Sequence, residues 1–182
     1  MKKILLTVIV ISSFNVLMAQ HAEFGIKGGV NLANLNANDN ENLSNRTSFH
    51  IGGLAHVHLS KQFAIQPELL YSGQGASSSS GDVKLSYINI PVLAQYMFGE
   101  GFRLETGPQF GLLVGAKSGD TDIKSSLTTA DLGWAFGAGY KTPSGFGVDA
   151  RYNLGLTDIN KGDNTVKNNV WQLGVFYQFK HQ

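Results

Sequence analysis

One segment, residues 102–114, limits the folds open to this chain. It reads FRLETGPQFGLLV, and most of its even-numbered positions are apolar, whereas its odd-numbered positions include Arg103, Glu105 and two glycines. Because successive side chains of a β-strand point to opposite faces, this pattern gives a strand with one apolar and one charged, glycine-rich face. A helix would not gather these apolar residues on one side. The fold therefore depends on which face meets the core.

The same alternation recurs along the chain and predicts eight strands. Short turns near residues 60–62, 99–101 and 142–145 separate some of the strands. Polar loops separate the others, at residues 33–47, 73–83, 117–129 and 157–168. Alternating long and short connections with an even strand number are typical of outer-membrane barrels, and closure removes the exposed sheet edges. We therefore predict an all-β fold, an eight-stranded antiparallel up-and-down transmembrane β-barrel.

Glycine and aromatic positions orient this barrel with its apolar face outward. Many of the 22 glycines fall on the polar face of the strands, where they would weaken a solvent-exposed strand but would make room inside a narrow barrel. Aromatic residues gather near the two ends of the strands, as in the girdles that flank a membrane-spanning apolar band. The alternative fold is a soluble periplasmic lipocalin-like carrier, with the apolar face inside.

The first 19 residues predict export. Lys2 and Lys3 precede an apolar run that ends at Ala19, which is the pattern of a cleaved secretory signal peptide. The predicted domains are thus a signal peptide at residues 1–19 and a barrel at residues 20–182. The predicted location is the outer membrane of a Gram-negative bacterium.

Composition removes several classes of function. The chain has 182 residues, no cysteine and a net charge of +1. The absence of cysteine rules out disulfides and thiolate metal sites, and near-neutral charge gives no reason to expect a nucleic-acid partner. We predict no cofactor.

Three prolines and one tyrosine predict local irregularities in the strands. Pro67, Pro91 and Pro108 lie within strand patterns, where a missing N–H interrupts the ladder. Each requires a bulge, a non-bonded slot or a staggered strand end. Tyr87 is out of phase with its strand, which predicts a bulge or a strand start there.

Several segments resemble a known family of small outer-membrane barrels. They are GIKGGVNLANL (25–35), YINIPVLAQY (87–96), LETGPQFGLLVG (104–115), ARYNLGLTDI (150–159) and the final WQLGVFYQF (171–179). Together they resemble the PorT-type family, whose barrels share the eight-stranded OmpA/OmpX-like architecture. The resemblance implies eight strands in the outer membrane and a C-terminal strand read by the barrel-assembly machinery. It implies no common activity and no catalytic residue.

Six charged residues fall on the predicted inward face: Lys27, Glu68, Arg103, Glu105, Asp149 and Arg151. Most lie a similar distance from their periplasmic strand ends, so we expect them to share one level of the lumen. Buried charges persist when they are paired, which favours a structural plug. An ion path or a gate is the alternative role.

No catalytic or metal site stands out. His50, His56 and His58 share a strand face, but this spacing is common and no third ligand is indicated. We predict a non-enzymatic monomer in membrane lipid, with a plugged polar interior and four surface loops for envelope, partner or ligand interactions. A narrow porin-like channel or transport component is the alternative.

Overall fold

The computed structural model describes residues 22–37, 44–77, 81–161 and 165–179. In these ranges it contains nine strands and one short 3-10 helix, Lys124–Ser126. The strands are β1 (Ala22–Ala37), β2 (Ser44–His58), β3 (Phe63–Ser77), β4 (Val83–Phe98), β5 (Phe102–Ser118), β6 (Thr121–Asp122), β7 (Ala130–Lys141), β8 (Phe146–Gly155) and β9 (Val166–Gln178).

Eight of these strands form a closed wall, as the sequence predicted. The strand order is β4-β3-β2-β1-β9-β8-β7-β5, and a further pairing between β4 and β5 closes the sheet. Every neighbouring pair is antiparallel. The ninth strand, β6, has two residues and pairs only with the end of β5. Closure gives each wall strand two partners, so the described wall has no free edge.

The apolar face points outward along every wall strand. Phe24 is 62% exposed and Phe110 is 54% exposed, whereas the alternating residues on β5 are buried. A soluble barrel would bury Phe24 and Phe110, so the lipocalin-like alternative is wrong. An apolar outer surface is stable only against lipid, because water penalises exposed hydrocarbon.

Aromatic side chains pack together at both ends of the wall. Near the short turns, Phe102 packs on Tyr140 with ring centroids 4.8 Å apart. Near the other end, Tyr152 packs on Trp171 at 4.9 Å. The two bands match the predicted girdles, and by analogy with other barrels the short turns mark the periplasmic end.

Each of the three prolines lies at a short interruption of pairing. The ladder between β2 and β3 skips two residue pairs at Pro67 and resumes in the same register. The ladders between β3 and β4 and between β4 and β5 do the same at Pro91 and Pro108. Each proline therefore occupies a position where the ladder has no hydrogen bond, and its missing N–H is accommodated without a bulge. The register of β4 and β5 shifts between Ser86 and Tyr87, but the extra residue is Val114 on β5, so the predicted bulge lies opposite Tyr87 and not in its own strand.

The strands extend further than the sequence indicated. Residues 33–47 were predicted as a loop, yet β1 continues to Ala37 and β2 begins at Ser44, with Ala33 paired to Arg46. The other three predicted loops are also shortened, since flanking strands reach Ser77, Ser118 and Val166. Polar composition marks where the wall leaves the apolar band, whereas backbone pairing continues beyond it.

The predicted signal peptide, residues 1–19, lies outside the described residues. Within the part of the chain that the structure describes, no helix is long and apolar enough to cross a membrane.

Candidate functional site

The barrel interior brings five of the six predicted charged residues into one network. Arg151 on β8 donates from Nη1 and Nη2 to the two carboxylate oxygens of Glu68 on β3, both at 2.8 Å. Its Nε donates to Glu105 on β5 at 2.9 Å. Lys27 Nζ lies 2.8 Å from Asp149 Oδ2 and 3.9 Å from Glu68 Oε1. We call these five residues the interior charge network.

Arg103, the sixth predicted residue, lies outside this network. Among the described residues it forms no ion pair within 4 Å. Its guanidinium lies over the Phe176 ring, 4.5 Å from the centroid, and Nη1 lies 3.5 Å from Gln66 Oε1. A cation over an aromatic face is attracted to the ring electrons. Arg103 is therefore held mainly by Phe176, an inward aromatic residue that was not selected from the sequence.

Inward glycines provide the space that the network occupies. A Cβ added at Gly137 would lie 2.8 Å from Glu105 Oε1, and one added at Gly174 would lie 2.9 Å from Asp149 Oδ1. Both distances are too short for two atoms that are not bonded. The predicted reason for glycine on this face, room for long charged side chains, holds at these two positions.

Two amide side chains complete the network and were not selected from the sequence. Gln66 Nε2 donates to Glu68 Oε1 at 2.7 Å, and Gln95 Nε2 donates to Glu105 Oε2 at 2.9 Å. Gln66 lies on the same face of β3 as Glu68, and Gln95 on β4 is the register partner of Glu105 on β5. That shared phase was the available signal, because an inward carboxylate can accept more hydrogen bonds than the pair that one arginine gives it in a bidentate contact.

A second polar layer involves Asn31. Its Nδ2 donates to Ser72 Oγ at 2.9 Å, while its Oδ1 lies 2.8 Å from His50 Nδ1 and accepts from Gln172 Nε2 at 3.1 Å. His50 is thereby held in an interior hydrogen-bond network.

The other two histidines lie together, apart from any metal-binding arrangement. The rings of His56 and His58 pack edge to face with centroids 4.5 Å apart. Within the described ranges, no group of three or more His, Cys, Asp or Glu residues is placed to hold a metal ion.

The end of the lumen away from the short turns contains an apolar cluster. Leu35, Leu85, Leu113 and Ile159 are buried there around the side chain of Tyr87, which is fully buried. Ile159 belongs to the segment after β8 and not to a wall strand. We call this group the apolar cap.

Hydrogen bonds between two loops keep Ile159 in place. Thr128 N donates to Ile159 O at 2.9 Å, and Lys161 N donates to Ser126 O at 3.2 Å. Asp158 Oδ1 accepts from the backbone amides of Val166 and of residue 160, both at 2.9 Å. These two backbone hydrogen bonds lower the pKa of the Asp158 carboxyl from its ordinary value of 3.8. The loops after β5 and β8 are therefore joined by backbone hydrogen bonds.

The interior charge network, the Asn31 layer and the apolar cap occupy three levels of the described interior. The interior charge network with Arg103 contains three cations and three carboxylates and is formally neutral. The Asn31 layer and the apolar cap account for the other two levels. Among the described residues, the three carboxylates of the network bind cations and amides, and none of them is hydrogen-bonded to a hydroxyl group that could serve as a nucleophile.

Comparison with known proteins places these features in context. The model of a family described as "Outer membrane protein beta-barrel domain" matches residues 18–161. No curated protein matches the chain.

Solved structures share the fold at low sequence identity. Neisserial surface protein A is 18% identical with a TM-score of 0.60, and the match covers 87% of this chain and 99% of that one. The attachment invasion locus protein Ail of Yersinia pestis, in complex with the heparin analogue sucrose octasulfate, is 19% identical with a TM-score of 0.52 and the same two coverages. Ail in a phospholipid bilayer nanodisc is 16% identical with a TM-score of 0.53, covering 87% of this chain and all of that one.

Proposed function

The chain belongs to the outer membrane protein β-barrel domain family, and from that premise we propose that it is a non-enzymatic, non-conducting barrel of the envelope. Its location is the outer membrane of a Gram-negative bacterium. In this proposal the wall anchors the protein in lipid, the interior plugs the lumen, and the covered outer end faces external partners.

The observation that carries the proposal is the way Arg151 is held. It is fully buried and donates three hydrogen bonds to two carboxylates on two other strands. An eight-stranded lumen is just wide enough to be filled by side chains. An ion entering it would have to break charge-assisted bonds between β3, β5 and β8, and buried pairs of this kind are costly to break.

Conductance measurements test the plug. The purified barrel is inserted into planar lipid bilayers as wild type, R151Q and R103Q, with the exposed-turn variant K61Q as a matched single-charge control. We expect no conductance steps from any of the four, together with lower thermal stability for R151Q and R103Q. A clear gain of conductance in R151Q, absent from K61Q, would show that the network is a gate.

A narrow channel is the second candidate, because many buried interior atoms have no protein partner. In the described residues these include both ring nitrogens of His56, Nη2 of Arg103, and both side-chain polar atoms of Asn153. Buried polar atoms are normally satisfied, often by water. Water bound at these atoms would favour movement of water or protons over movement of larger ions. Proton flux into vesicles that contain a pH-sensitive dye separates the two candidates: flux above that of empty vesicles supports the channel.

The remaining predictions extend the proposal to partners. We propose that the chain is a monomer of the PorT type, without nucleic-acid partners, and that β9 carries the outward aromatic residues read by the barrel-assembly machinery. The strand presents Trp171 and Tyr177 outward, with Phe179 just after its end. Ail has been crystallised in complex with a heparin analogue, and this supports a search for external ligands of the present barrel.

A further inference from the structure

A cavity of about 290 Å³ opens in the wall near the extracellular end, beside the strands β2 to β6. Three cations and one carboxylate line it: Arg46, Lys84, Lys117 and Asp122. Their formal charge is +3 and −1, a net +2. Phe49 and Tyr71 also line it. We call this feature the basic cavity.

The two lysines of the basic cavity lie side by side on neighbouring strands. Lys84 on β4 is the register partner of Lys117 on β5, and both are exposed. Like charges directly opposite each other destabilise a strand pair. Among the described residues, neither ammonium has an ion pair or a side-chain hydrogen bond. This holds although Asp122 on β6 is the register partner of Lys117 on the other side of β5. The Asp122 carboxylate accepts from the Lys124 backbone amide at 2.9 Å. An anion between the lysines would relieve their repulsion.

Arg46 adds a third donor on the other side of the cavity. Its Nη1 donates to Gln74 O at 2.8 Å, which fixes the guanidinium against β3. Arginine held in this way keeps further N–H groups for a second acceptor, and its planar fork suits phosphate oxygens.

The lower part of the cavity is aromatic and faces the lipid side of the wall. Phe49 and Tyr71 are exposed, with ring centroids 5.7 Å apart, and Tyr71 Oη donates to Ser86 Oγ at 3.1 Å. Tyr71 is the register partner of Ile88, four residues along β4 from Lys84. At about 3.3 Å per residue and a tilt of about 40°, the lysines lie about 10 Å above this aromatic level. That height matches the headgroup region above the hydrocarbon core.

We propose that the basic cavity binds the phosphate group of an outer-leaflet lipid, with Lys84, Lys117 and Arg46 around the phosphate and the acyl chains against Phe49 and Tyr71. The aromatic lower part distinguishes a lipid from a soluble polyanion, because it places the ligand's apolar portion at the membrane boundary. This proposal rests on the outer-membrane location and is independent of the plugged interior.

Native mass spectrometry of the detergent-solubilised protein tests the site. Dioleoyl phosphatidic acid and dioleoyl phosphatidylcholine are compared on wild type and on K84Q/K117Q. The control K61Q/K167Q removes the same charge from an exposed turn and from the opposite part of the wall, where Lys167 on β9 pairs with β1. We expect wild type and control to retain phosphatidic acid at least about tenfold better than K84Q/K117Q, because removing one charge-assisted hydrogen bond to a ligand weakens its binding by about tenfold or more. A heat-modifiable gel shift confirms that all variants are folded.

Three outcomes would overturn the assignment. Equal retention by wild type and K84Q/K117Q removes the site. Complete displacement of phosphatidic acid by about a hundredfold excess of inorganic phosphate shows an anion site without a lipid component. Retention of a heparin tetrasaccharide by wild type but not by K84Q/K117Q, together with no preference for phosphatidic acid, shows a polysaccharide site.

Discussion

Replacing Arg151 by methionine removes the central cation of the interior charge network while keeping most of the side-chain volume. Arg151 is fully buried and donates at 2.8, 2.8 and 2.9 Å to Glu68 and Glu105. Without it, Glu68 keeps Gln66 and a distant Lys27, and Glu105 keeps Gln95. The network together with Arg103 changes from formally neutral to −1.

The expected loss of stability follows from the cost of leaving a carboxylate buried without its partner. Removing one member of a buried ion pair costs about 3–5 kcal/mol. The matched variant is R103M, because Arg103 is also buried but lies over an aromatic ring in place of a carboxylate. A cation–π interaction is worth about 0.5–2 kcal/mol, so R103M is expected to cost less than R151M.

Urea unfolding in detergent micelles, followed by tryptophan fluorescence and by the heat-modifiable gel shift, gives the free energy of unfolding for each variant. R151M is expected to lower it by about 3–5 kcal/mol and R103M by about 0.5–2 kcal/mol. The double variant R151M/E68Q restores neutrality and is expected to be more stable than R151M alone. Equal destabilisation by R151M and R103M, or no recovery in the double variant, would refute the reasoning.

Three further predictions concern space, closure and pH. Gly174→Ala places a methyl group against the Asp149 carboxylate and is expected to lower the free energy of unfolding in urea by about 1–3 kcal/mol. The control Gly28→Ala is expected to be near neutral, because the atom nearest to its new Cβ is 3.5 Å away. Similar costs for the two variants would contradict the packing argument. Ile159→Ala empties part of the apolar cap and is expected to lower the free energy of unfolding by about 2–5 kcal/mol. It should also speed cleavage of the outer loops by added protease. Unchanged cleavage would contradict this prediction. Asp158 has a lowered pKa when folded, so its contribution to loop order is complete above the ordinary value of 3.8 and is lost as pH falls through the lower folded value. The chemical shifts of the two amides that donate to Asp158 report this step, which should be absent in D158A.

The charged interior residues were predictable, but their pairing was not. Period-two alternation places Lys27, Glu68 and Arg151 on the inward face, because a shift of one residue would expose each charged side chain to the lipid. The partners, however, come from β1, β3, β5 and β8, which are distant in sequence. Their pairing depends on the register of strands that alternation leaves undetermined, and this register put Arg103 beside Phe176 rather than a carboxylate.

At the outer end of the barrel, too, the sequence predicts where the loops lie but not which residues they bury. Polar residues 157–168 indicate where the chain leaves the apolar band, but nothing in that composition predicts that Ile159 turns inward. Its burial depends on the bonds between the loops after β5 and β8. The basic cavity also needed the register, since Lys84 and Lys117 are neighbours only through the pairing of β4 with β5.

The sequence by itself determined the class of structure: alternating strands, an apolar outer face, glycines inside and a location in a membrane. It did so because each of these follows from local periodicity and from the cost of exposing hydrocarbon to water or polar groups to lipid. Only the tertiary structure decided which charges pair, how the prolines are accommodated and which loop residue is buried in the apolar cap. Those outcomes arise from closure of the sheet, which brings together side chains that no local pattern connects.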